Sequence, residues 1–257
     1  MLSPVKTWRH GEMKVSIYES SEAVGEAAAE DLEKIVKADV VERNRTAIIM
    51  ATGNSQLWFM RSLRATSGMP WQQVTILHMD EFLGMPDQHP ASFRRFIREH
   101  LTDFVHPWAF HGIAGEAADV GAEMARYAAL LRQHEPVACI MGIGENGHLA
   151  FNDPPADFAA EELIQVVTLA EASRQQQVGE GHFATLNDVP RQALSLTIPA
   201  LLSPPHVLVV VPEARKAQAV KNALQGPVTG DCPASILRTS PRVKLYLDPD
   251  SAALLEI

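Results

Sequence analysis

Short apolar runs alternate along this chain with longer segments that mix polar and apolar residues. The runs have the length of β-strands and are rich in Val, Ile and Leu. They lie at Met13–Tyr18, Thr46–Ala51, Val74–His78, Val137–Gly142, Ile164–Leu169, Val207–Val211 and Val243–Leu247. Strands that alternate with helices are typical of βαβ units. The pattern therefore predicts an α/β fold with an open, mostly parallel sheet flanked by helices.

Five segments between these runs have apolar residues at helical intervals. In the clearest of them, Val24, Ala28 and Leu32 recur every four residues after a Ser cap. The predicted helices are Ser21–Val41, Gln56–Leu63, Ser92–Leu101, Gly121–Arg132 and Glu213–Leu224. The Pro- and Gly-rich stretches resemble loops rather than linkers, and 257 residues is near the upper size of one α/β domain. We therefore expect a single domain that spans residues 1–257.

Composition and charge exclude several classes of protein. No apolar run approaches the ~20 residues that a membrane helix needs, and Met1–His10 lacks the features of a signal peptide. A net charge of −9 argues against nucleic-acid binding but is compatible with a small anionic ligand. Cys139 and Cys232 are far apart and suit a reducing compartment. We expect a cytoplasmic protein with a small-molecule ligand, and the sequence leaves open whether it forms a homo-oligomer.

A polar turn, Thr52-Gly53-Asn54-Ser55, directly follows the second predicted strand. Ligands of open α/β sheets bind at such carboxyl ends. Backbone N–H groups in this turn, together with the start of the next helix, could hold a phosphate. Ordinary helix capping would explain the same residues, so the turn alone does not decide between the two.

Charged residues follow two other predicted strands. Asp80 and Glu81 come just after Val74–His78. A carboxylate fixed there is a candidate base for moving a proton between neighbouring carbons, although adjacent acids also occur in ordinary loops. Arg215 and Lys216 stand at the start of a predicted helix, where cations are unfavourable unless an anion compensates them. A solvated helix face is the alternative explanation for these two cations.

His148 lies in a glycine-rich turn after Val137–Gly142. Asn146 and Asp153 flank it and could hold its imidazole in one tautomer for proton transfer near neutral pH. The glycines of the turn would let the backbone approach a ligand closely. The other nine histidines show no metal-ligand spacing, so we predict no metal and expect surface or core roles for them.

Two longer motifs identify a known family. Residues 79–86, followed by His89-Pro90-x-Ser92-Phe93, are similar to the Met-Asp-Glu-Tyr-x-Gly-Leu-Pro and His-Pro-x-Ser-Tyr of glucosamine-6-phosphate deaminases. Residues 147–154 resemble the Gly-His-Ile-Ala-Phe-Asn-Glu-Pro of the same family. The related 6-phosphogluconolactonases carry Arg after the Asp-Glu pair, where this chain has Phe82. The resemblance covers nearly the whole chain and implies a Rossmann-like fold and the deaminase branch.

The resemblance also implies a reaction and a role for each matching residue. An amino-sugar 6-phosphate, of glucosamine or galactosamine, would be isomerised and deaminated to a ketose phosphate and ammonia without a cofactor. Asp80 would move a proton from C2 to C1 of the open-chain sugar. His148, held by Asp153, would assist ring opening. The phosphate-binding residues would be Thr52, Gly53, Asn54, Ser55 and Lys216.

The chain departs from the family at positions that bear on this site. The family usually has Asp where this chain has Asn146, and Glu where it has Asp153, so the support of His148 loses one charge and one methylene. A phosphate-binding Arg in the family's Asn-Ser-Arg-Phe-Phe run is also missing. His182 and Arg174 are the candidate substitutes, and the preferred sugar stays open.

Two other functions fit parts of the sequence. A sugar-phosphate lactone hydrolase would use the same phosphate pocket and His148 with a water molecule. A sugar-phosphate-binding protein without activity is the second alternative, although the presence of Asp80, Glu81 and His148 argues against it. Release of ammonia would distinguish a deaminase from both.

Overall fold

A computed structural model describes residues 2–256 of the chain. The strands in this range are β1 (Lys6–His10), β2 (Met13–Ile17), β3 (Thr46–Met50), β4 (Val74–His78), β5 (Asp80–Phe82), β6 (Ala109–His111), β7 (Ala138–Met141), β8 (Ile164–Thr168), β9 (Gln192–Leu196), β10 (His206–Val211) and β11 (Val243–Leu247). Eight of them form one sheet in the order β1-β2-β11-β10-β7-β3-β4-β6. Every neighbouring pair is parallel except β1 with β2. The predicted open, mostly parallel sheet is confirmed.

The α-helices of the same range are α1 (Ser21–Arg43), α2 (Leu57–Ala65), α3 (Phe93–Ile97), α4 (Asp103–Val105), α5 (Val120–His134), α6 (Glu171–Gly179), α7 (Ile198–Leu202) and α8 (Ala217–Gln225). All five predicted helices are present, and the one predicted at Ser92–Leu101 is α3 followed by a π-helical segment. Single 3₁₀ turns lead into α2 and α8. No helix among residues 2–256 combines the length and apolarity needed to cross a membrane.

The central strands are buried on both faces of the large sheet. Along β3, Ile48 packs with the apolar cluster that includes α1 and α2. The next residue, Ile49, packs with the opposite cluster, which includes α5 and α8. Strands covered on both sides have no polar face, and this explains why they appear in the sequence as continuous apolar runs.

A second, three-stranded sheet has the order β5-β9-β8 and is antiparallel. The run Ile164–Leu169 is therefore a strand, as predicted, but it does not belong to the parallel sheet. Ser195 of β9 is the register partner of Asp80, and its Oγ accepts the N–H of Phe151 at 3.1 Å. The middle strand of this small sheet thus connects the segment after β4 with the loop that carries His148.

The chain reverses its direction across the large sheet between β3 and β7. From β3 it adds β4 and then β6 on one side, whereas β7 is followed by β10 and β11 on the other. Such a switch point leaves a crevice outside the carboxyl ends of the strands, which is where open α/β sheets bind their ligands. The loops after β3, β4, β7 and β10 all lie at this crevice.

Candidate active site

A cleft lies at the switch point and is lined by the loops after four adjacent strands. One side of α6 and the residue that follows this helix complete its wall. Its polar lining and the glycines of its loops are Thr52, Gly53, Ser55, Asp80, Gly142, Gly144, His148, Gln176, Gln177, Glu180 and Lys216. Half of the twelve site residues predicted from the sequence therefore meet in one place, although they come from distant parts of the chain.

Asp80 is the first residue of β5 and lies in the cleft wall, with 6% of its surface exposed. Burial, and then the charge of the adjacent Glu81, raise the pKa of Asp80 well above its ordinary value. A carboxylate whose pKa is raised in this way is a stronger base than one in water. Asp80 therefore has the environment of a general base.

Glu81, predicted together with Asp80, does not line the cleft and is fully buried. Its carboxylate accepts hydrogen bonds from Ser92 Oγ at 2.8 Å and from the backbone N–H groups of Phe93 and Arg94 at 3.2 Å each. It also forms an ion pair with Arg94 Nε at 3.3 Å. Burial raises the pKa of Glu81 in spite of these donors. The structure thus places Glu81 at the start of α3, where it fixes this helix.

His148 lines the cleft, and polar side chains contact the ring nitrogen that faces away from it. Its Nδ1 lies 3.0 Å from Ser173 Oγ and 3.3 Å from Asp153 Oδ1. Ser173 Oγ in turn donates to Asp153 Oδ1, and Asn146 Nδ2 donates to the same oxygen at 2.9 Å. Ser173 and Asp153 therefore favour the tautomer that carries a proton on Nδ1. The other ring nitrogen, Nε2, is left to act in the cleft.

Asp153 is an ionised acceptor in this group. Burial on its own would raise the pKa of Asp153, but contacts with His148, Ser173 and Asn146 outweigh it and lower this pKa to about 2. Its second oxygen accepts the backbone N–H of Ala170 at 2.8 Å. Asn146, which stands where the family usually has Asp, is a donor to Asp153 here and also accepts the N–H of His148 at 3.1 Å.

Three of the four residues in the turn after β3 face the cleft, namely Thr52, Gly53 and Ser55. Gly53 has a φ of 98°, a conformation that glycine adopts without the strain that other residues would suffer. The fourth residue, Asn54, does not line the cleft, because its Nδ2 donates to the backbone carbonyl of Glu180 at 3.3 Å. Asn54 therefore ties the turn to the end of α6.

Lys216 lines the same end of the cleft and is 3% exposed. It is the last residue of the 3₁₀ turn Ala214–Lys216, which follows β10. Burial, and then the nearby Arg215, lower the pKa of Lys216. Within residues 2–256 its ammonium group forms no hydrogen bond or ion pair, so this buried cation is available to an anionic ligand.

Arg174 and His182, the two candidate substitutes for the missing arginine, do not line the cleft. The Nη2 of Arg174 donates to the backbone carbonyls of Leu186 and Val189, in the second case at 3.2 Å. His182 Nε2 lies 3.4 Å from Glu180 Oε2. Arg174 therefore supports the loop after α6, and neither residue is part of the cleft lining.

The sequence interpretation missed four polar residues that surround the cleft. Gln176, Gln177 and Glu180 line it, and Ser173 supports His148 from the same side. The four residues stand at positions i, i+3, i+4 and i+7, so α6 and its C-terminal cap present them on one face. This polar periodicity was the signal that could have identified them.

The remaining histidines include one that is fully buried. His78, at the end of β4, accepts the N–H of Ile113 on its Nε2 at 2.8 Å. Burial, and then the charges of Arg94 and Arg126, lower the pKa of His78 to about 3, so it is a neutral core residue. In the part of the chain that the structure describes, no three His, Cys, Asp or Glu side chains are grouped so as to hold a metal ion.

Comparison with known proteins relates the whole chain to one group of sugar-phosphate enzymes. The family model described as glucosamine-6-phosphate isomerases/6-phosphogluconolactonase matches residues 19–246. The glucosamine-6-phosphate deaminase of Exiguobacterium sibiricum is 34% identical over 244 residues, which cover 95% of this chain and 93% of that protein. A solved glucosamine-6-phosphate deaminase, described as monomeric, has 28% identity and a TM-score of 0.85, with 94% of this chain and 99% of its own covered.

The lactonases share the fold at lower identity. A 6-phosphogluconolactonase from Shewanella baltica superposes with a TM-score of 0.77 and 16% identity, over 96% of this chain and 100% of its own. The family model covers most of the chain, and the deaminase relative is similar along almost its entire length. This chain therefore belongs to the family of glucosamine-6-phosphate isomerases and 6-phosphogluconolactonases.

Proposed function

We propose that this protein is an enzyme that converts glucosamine 6-phosphate and water into fructose 6-phosphate and ammonia. The observation that carries the proposal is that Asp80, His148 and Lys216 line one cleft. They provide a base, a proton carrier and a cation for the phosphate. Relatives similar over nearly the whole chain are named glucosamine-6-phosphate deaminases, which favours glucosamine over galactosamine as the sugar.

In the first step of the reaction, the sugar ring must open. We assign this step to His148, whose Nε2 would take the proton of the C1 hydroxyl and return one to the ring oxygen. The C1–O bond to the ring then breaks and an aldehyde forms at C1. Asp153 supports this role, because an ionised carboxylate behind the imidazole stabilises its protonated form.

Isomerisation follows at C1 and C2. A C–H bond beside a carbonyl is a very weak acid, so its removal needs a positioned base with a suitable pKa. We assign this base to Asp80, which would take the proton from C2 and deliver it to C1, while the amino group gives up a proton and the C1 oxygen gains one to become a hydroxyl. The result is an imine at C2. Water adds to this carbon, ammonia leaves, and the ketose phosphate remains.

Lactone hydrolysis is the alternative within the same fold, and the surroundings of Phe82 argue against it. Lactonases carry a cation at this position, according to the resemblance described above. In this protein Phe82 packs between the rings of Phe93, Phe151 and Phe183, with centroids 5.0 to 5.4 Å apart. Burying the guanidinium of an arginine among these rings would be costly, so this part of the molecule suits an apolar side chain.

One experiment tests the proposed function directly. The protein is incubated separately with glucosamine 6-phosphate, galactosamine 6-phosphate and 6-phosphogluconolactone, and ammonia, ketose phosphate and released acid are measured. We expect ammonia and ketose phosphate in equal amounts from glucosamine 6-phosphate. Acid from the lactone without ammonia from either hexosamine would overturn the proposal in favour of the lactonase.

We also propose that the chain works as a single domain in the cytoplasm. The cleft takes residues from between Thr52 and Lys216, so one folded unit must hold them together. Cys139 and Cys232 are both free thiols, as a reducing compartment would keep them. Cell fractionation followed by limited proteolysis tests both points, and a stable fragment that lacks either end of the cleft would contradict the first.

A further inference from the structure

The end of the cleft that holds Lys216 also holds a negatively charged side chain. Glu180 caps the C-terminus of α6 and lines the cleft, with 5% of its side chain exposed. Its Oε2 lies 3.8 Å from the position that a Cβ on Gly53 would occupy. The carboxylate therefore faces the turn that we assign to the substrate phosphate. Like charges repel strongly in a site from which water is excluded, so this arrangement requires an explanation.

Glu180 is both fixed and ionised. Its Oε1 accepts hydrogen bonds from Arg215 Nη1 at 2.6 Å and from Gln176 Nε2 at 2.8 Å. Burial alone would raise the pKa of Glu180, but His182, Gln176 and Arg215 outweigh it and lower this pKa to about 2. The carboxylate thus keeps its charge at neutral pH and cannot turn away without breaking an ion pair.

The two oxygens of Glu180 have different surroundings. Oε1 is occupied by the two donors just described, whereas Oε2 accepts no hydrogen bond from any other part of residues 2–256. His182 Nε2 lies 3.4 Å from Oε2, near enough to lower the pKa of Glu180 but not aligned to form a hydrogen bond with it. Oε2 is therefore an acceptor that faces the cleft and lacks a donor. A ligand with a hydrogen to donate would complete it.

The charges around Glu180 do not cancel its own. The charged and titratable groups that face it are Glu145 after β7, Glu213, Arg215 and Lys216 after β10, and His182 beside it. Arg215 is shared among three carboxylates, because it also contacts Glu145 at 3.4 Å and Glu213 at 2.5 Å. Lys216 is thus the one permanent cation of this group that has no ion pair within residues 2–256.

We propose that Glu180 is a specificity-determining residue that makes the cleft select the singly ionised form of the substrate's phosphate. The P–OH of that form would donate to Glu180 Oε2. Its charged oxygens would accept from Lys216 and from the N–H groups of the turn after β3. A doubly ionised phosphate has no proton to donate and would meet the carboxylate as a like charge. The inference rests on the proposed function only in placing a phosphate at this end of the cleft.

The proposal predicts a particular dependence of substrate binding on pH. A phosphate monoester loses its second proton with a pKa of about 6. The preferred form therefore becomes scarce above neutral pH, and KM should rise by about tenfold for each pH unit above about 7 while the protein itself stays folded. The protein can also gain or lose protons over this pH range, so the effect of the ligand's proton must be separated from effects on the protein.

A comparison of inorganic phosphate with sulfate makes this separation. The two anions have the same shape, but sulfate keeps two charges and no proton at every pH of interest. Dissociation constants of both are measured by calorimetry between about pH 5.5 and about pH 8.5, a range that spans the second ionisation of phosphate. A change in affinity with pH that both anions share reflects protonation of the protein. A change in the ratio of the two dissociation constants reflects the proton on phosphate.

We expect wild-type protein to bind phosphate at least about tenfold more tightly than sulfate at the acidic end of this range, since a hydrogen bond to a charged group has that value. The preference should disappear at the alkaline end. In Glu180→Gln both anions should bind about equally at every pH, and sulfate should bind about tenfold more tightly than in wild type. Glu171→Gln is the matched control, because it removes a charge from the exposed first turn of the same helix.

Each outcome bears on the proposal. Equal binding of phosphate and sulfate by wild-type protein at acidic pH overturns it, and this measurement needs no variant that must fold. A preference for phosphate that survives in Glu180→Gln overturns it as well. If neither anion binds or inhibits while ammonia is still released from glucosamine 6-phosphate, the selection fails and the proposed function stands. If the anions behave as expected but no ammonia is released, the proposed function fails alone.

Discussion

The imidazole of His148 lies directly against the Cα of Gly144. A Cβ on Gly144 would stand 2.3 Å from His148 Nε2, far inside any contact distance. The turn that brings them together is closed by the N–H of Gly144, which donates to the carbonyl of His148 at 2.9 Å. Glycine at this position therefore provides the space that the proposed proton carrier occupies.

Gly144→Ala should disable the enzyme with little effect on the rest of the fold. The new methyl group would displace the imidazole by about 1 Å or more, and a shift of that size reduces turnover by about 10²-fold. Ammonia release gives the rate. Gly179→Ala is the control, because nothing lies within 4 Å of a Cβ there, and it should keep wild-type activity. Equal rates for the two variants would contradict the role given to the ring position.

Asp80→Asn should reduce turnover by at least ~10²-fold, the lower range for loss of a general base. KM should change little, since Asp80 is assigned to the reacting carbons and not to the phosphate. Because its pKa is raised by burial, ionised Asp80 destabilises the folded state increasingly as pH rises above the ordinary carboxyl pKa. The variant should therefore unfold at the same temperature as wild type or higher. Unchanged turnover would remove Asp80 from the mechanism.

Glu81→Gln should destabilise the folded protein, in contrast to Asp80→Asn. It leaves the buried guanidinium of Arg94 with one carboxylate fewer, and breaking a buried pair costs about 3 kcal/mol. Urea unfolding should show this loss, together with reduced activity caused by the displaced start of α3. If Glu81→Gln were as stable as wild type and as inactive as Asp80→Asn, Glu81 would have a direct role in the reaction.

Asp153→Asn should change how the free energy of unfolding depends on pH below about 4. The pKa of Asp153 is lowered from 3.8 to about 2 in the folded protein. Its contribution is therefore complete above about pH 4 and is lost as pH falls towards 2, amounting to about 2 kcal/mol in all. Urea unfolding at a series of pH values should show a shallower acid-side decline for the variant. Parallel curves for variant and wild type would contradict the assignment.

Lys216→Met should weaken substrate binding more than it slows the chemical step. The substitution keeps the buried stem but removes the cation assigned to the phosphate, so KM should rise by about 10- to 100-fold. Lys221→Met on the outer face of α8 is the control, since Lys221 forms only an exposed pair with Glu256 at 3.2 Å. A fall in kcat with unchanged KM would place Lys216 at the reacting end of the cleft.

The parallel core could be predicted because its strands are covered on both sides. Continuous apolar runs identified β3, β4, β7, β10 and β11 within one or two residues at each end. The three-residue strand β5 could not be found in this way. Two of its residues are acidic, and it is a strand only because it pairs with β9, which lies more than a hundred positions later. Strand β8 also pairs with β9, which places it in the small sheet rather than in the parallel one.

The candidate site was predictable where its residues follow apolar strands. Asp80, His148 and Lys216 all do so, and the structure brings them into one cleft. Ser173 and Glu180 gave no such signal, because α6 turns a polar face inward and its apolar residues show no helical pattern. Their position depends on how this helix packs, whereas Arg174 and His182, the predicted phosphate ligands of this segment, do not line the cleft.

Strand β9 fixes the position of Asp80 relative to the loop that carries His148. Ser195 pairs with Asp80 on one side and holds the segment after His148 through the N–H of Phe151 on the other. Strand pairings move only in whole residues, and a slip of one residue would turn every side chain to the opposite face. The pairing therefore restricts small changes in the separation between Asp80 and His148. A site built in this way can exchange the side chains around its edge while the spacing of Asp80 and His148 stays unchanged.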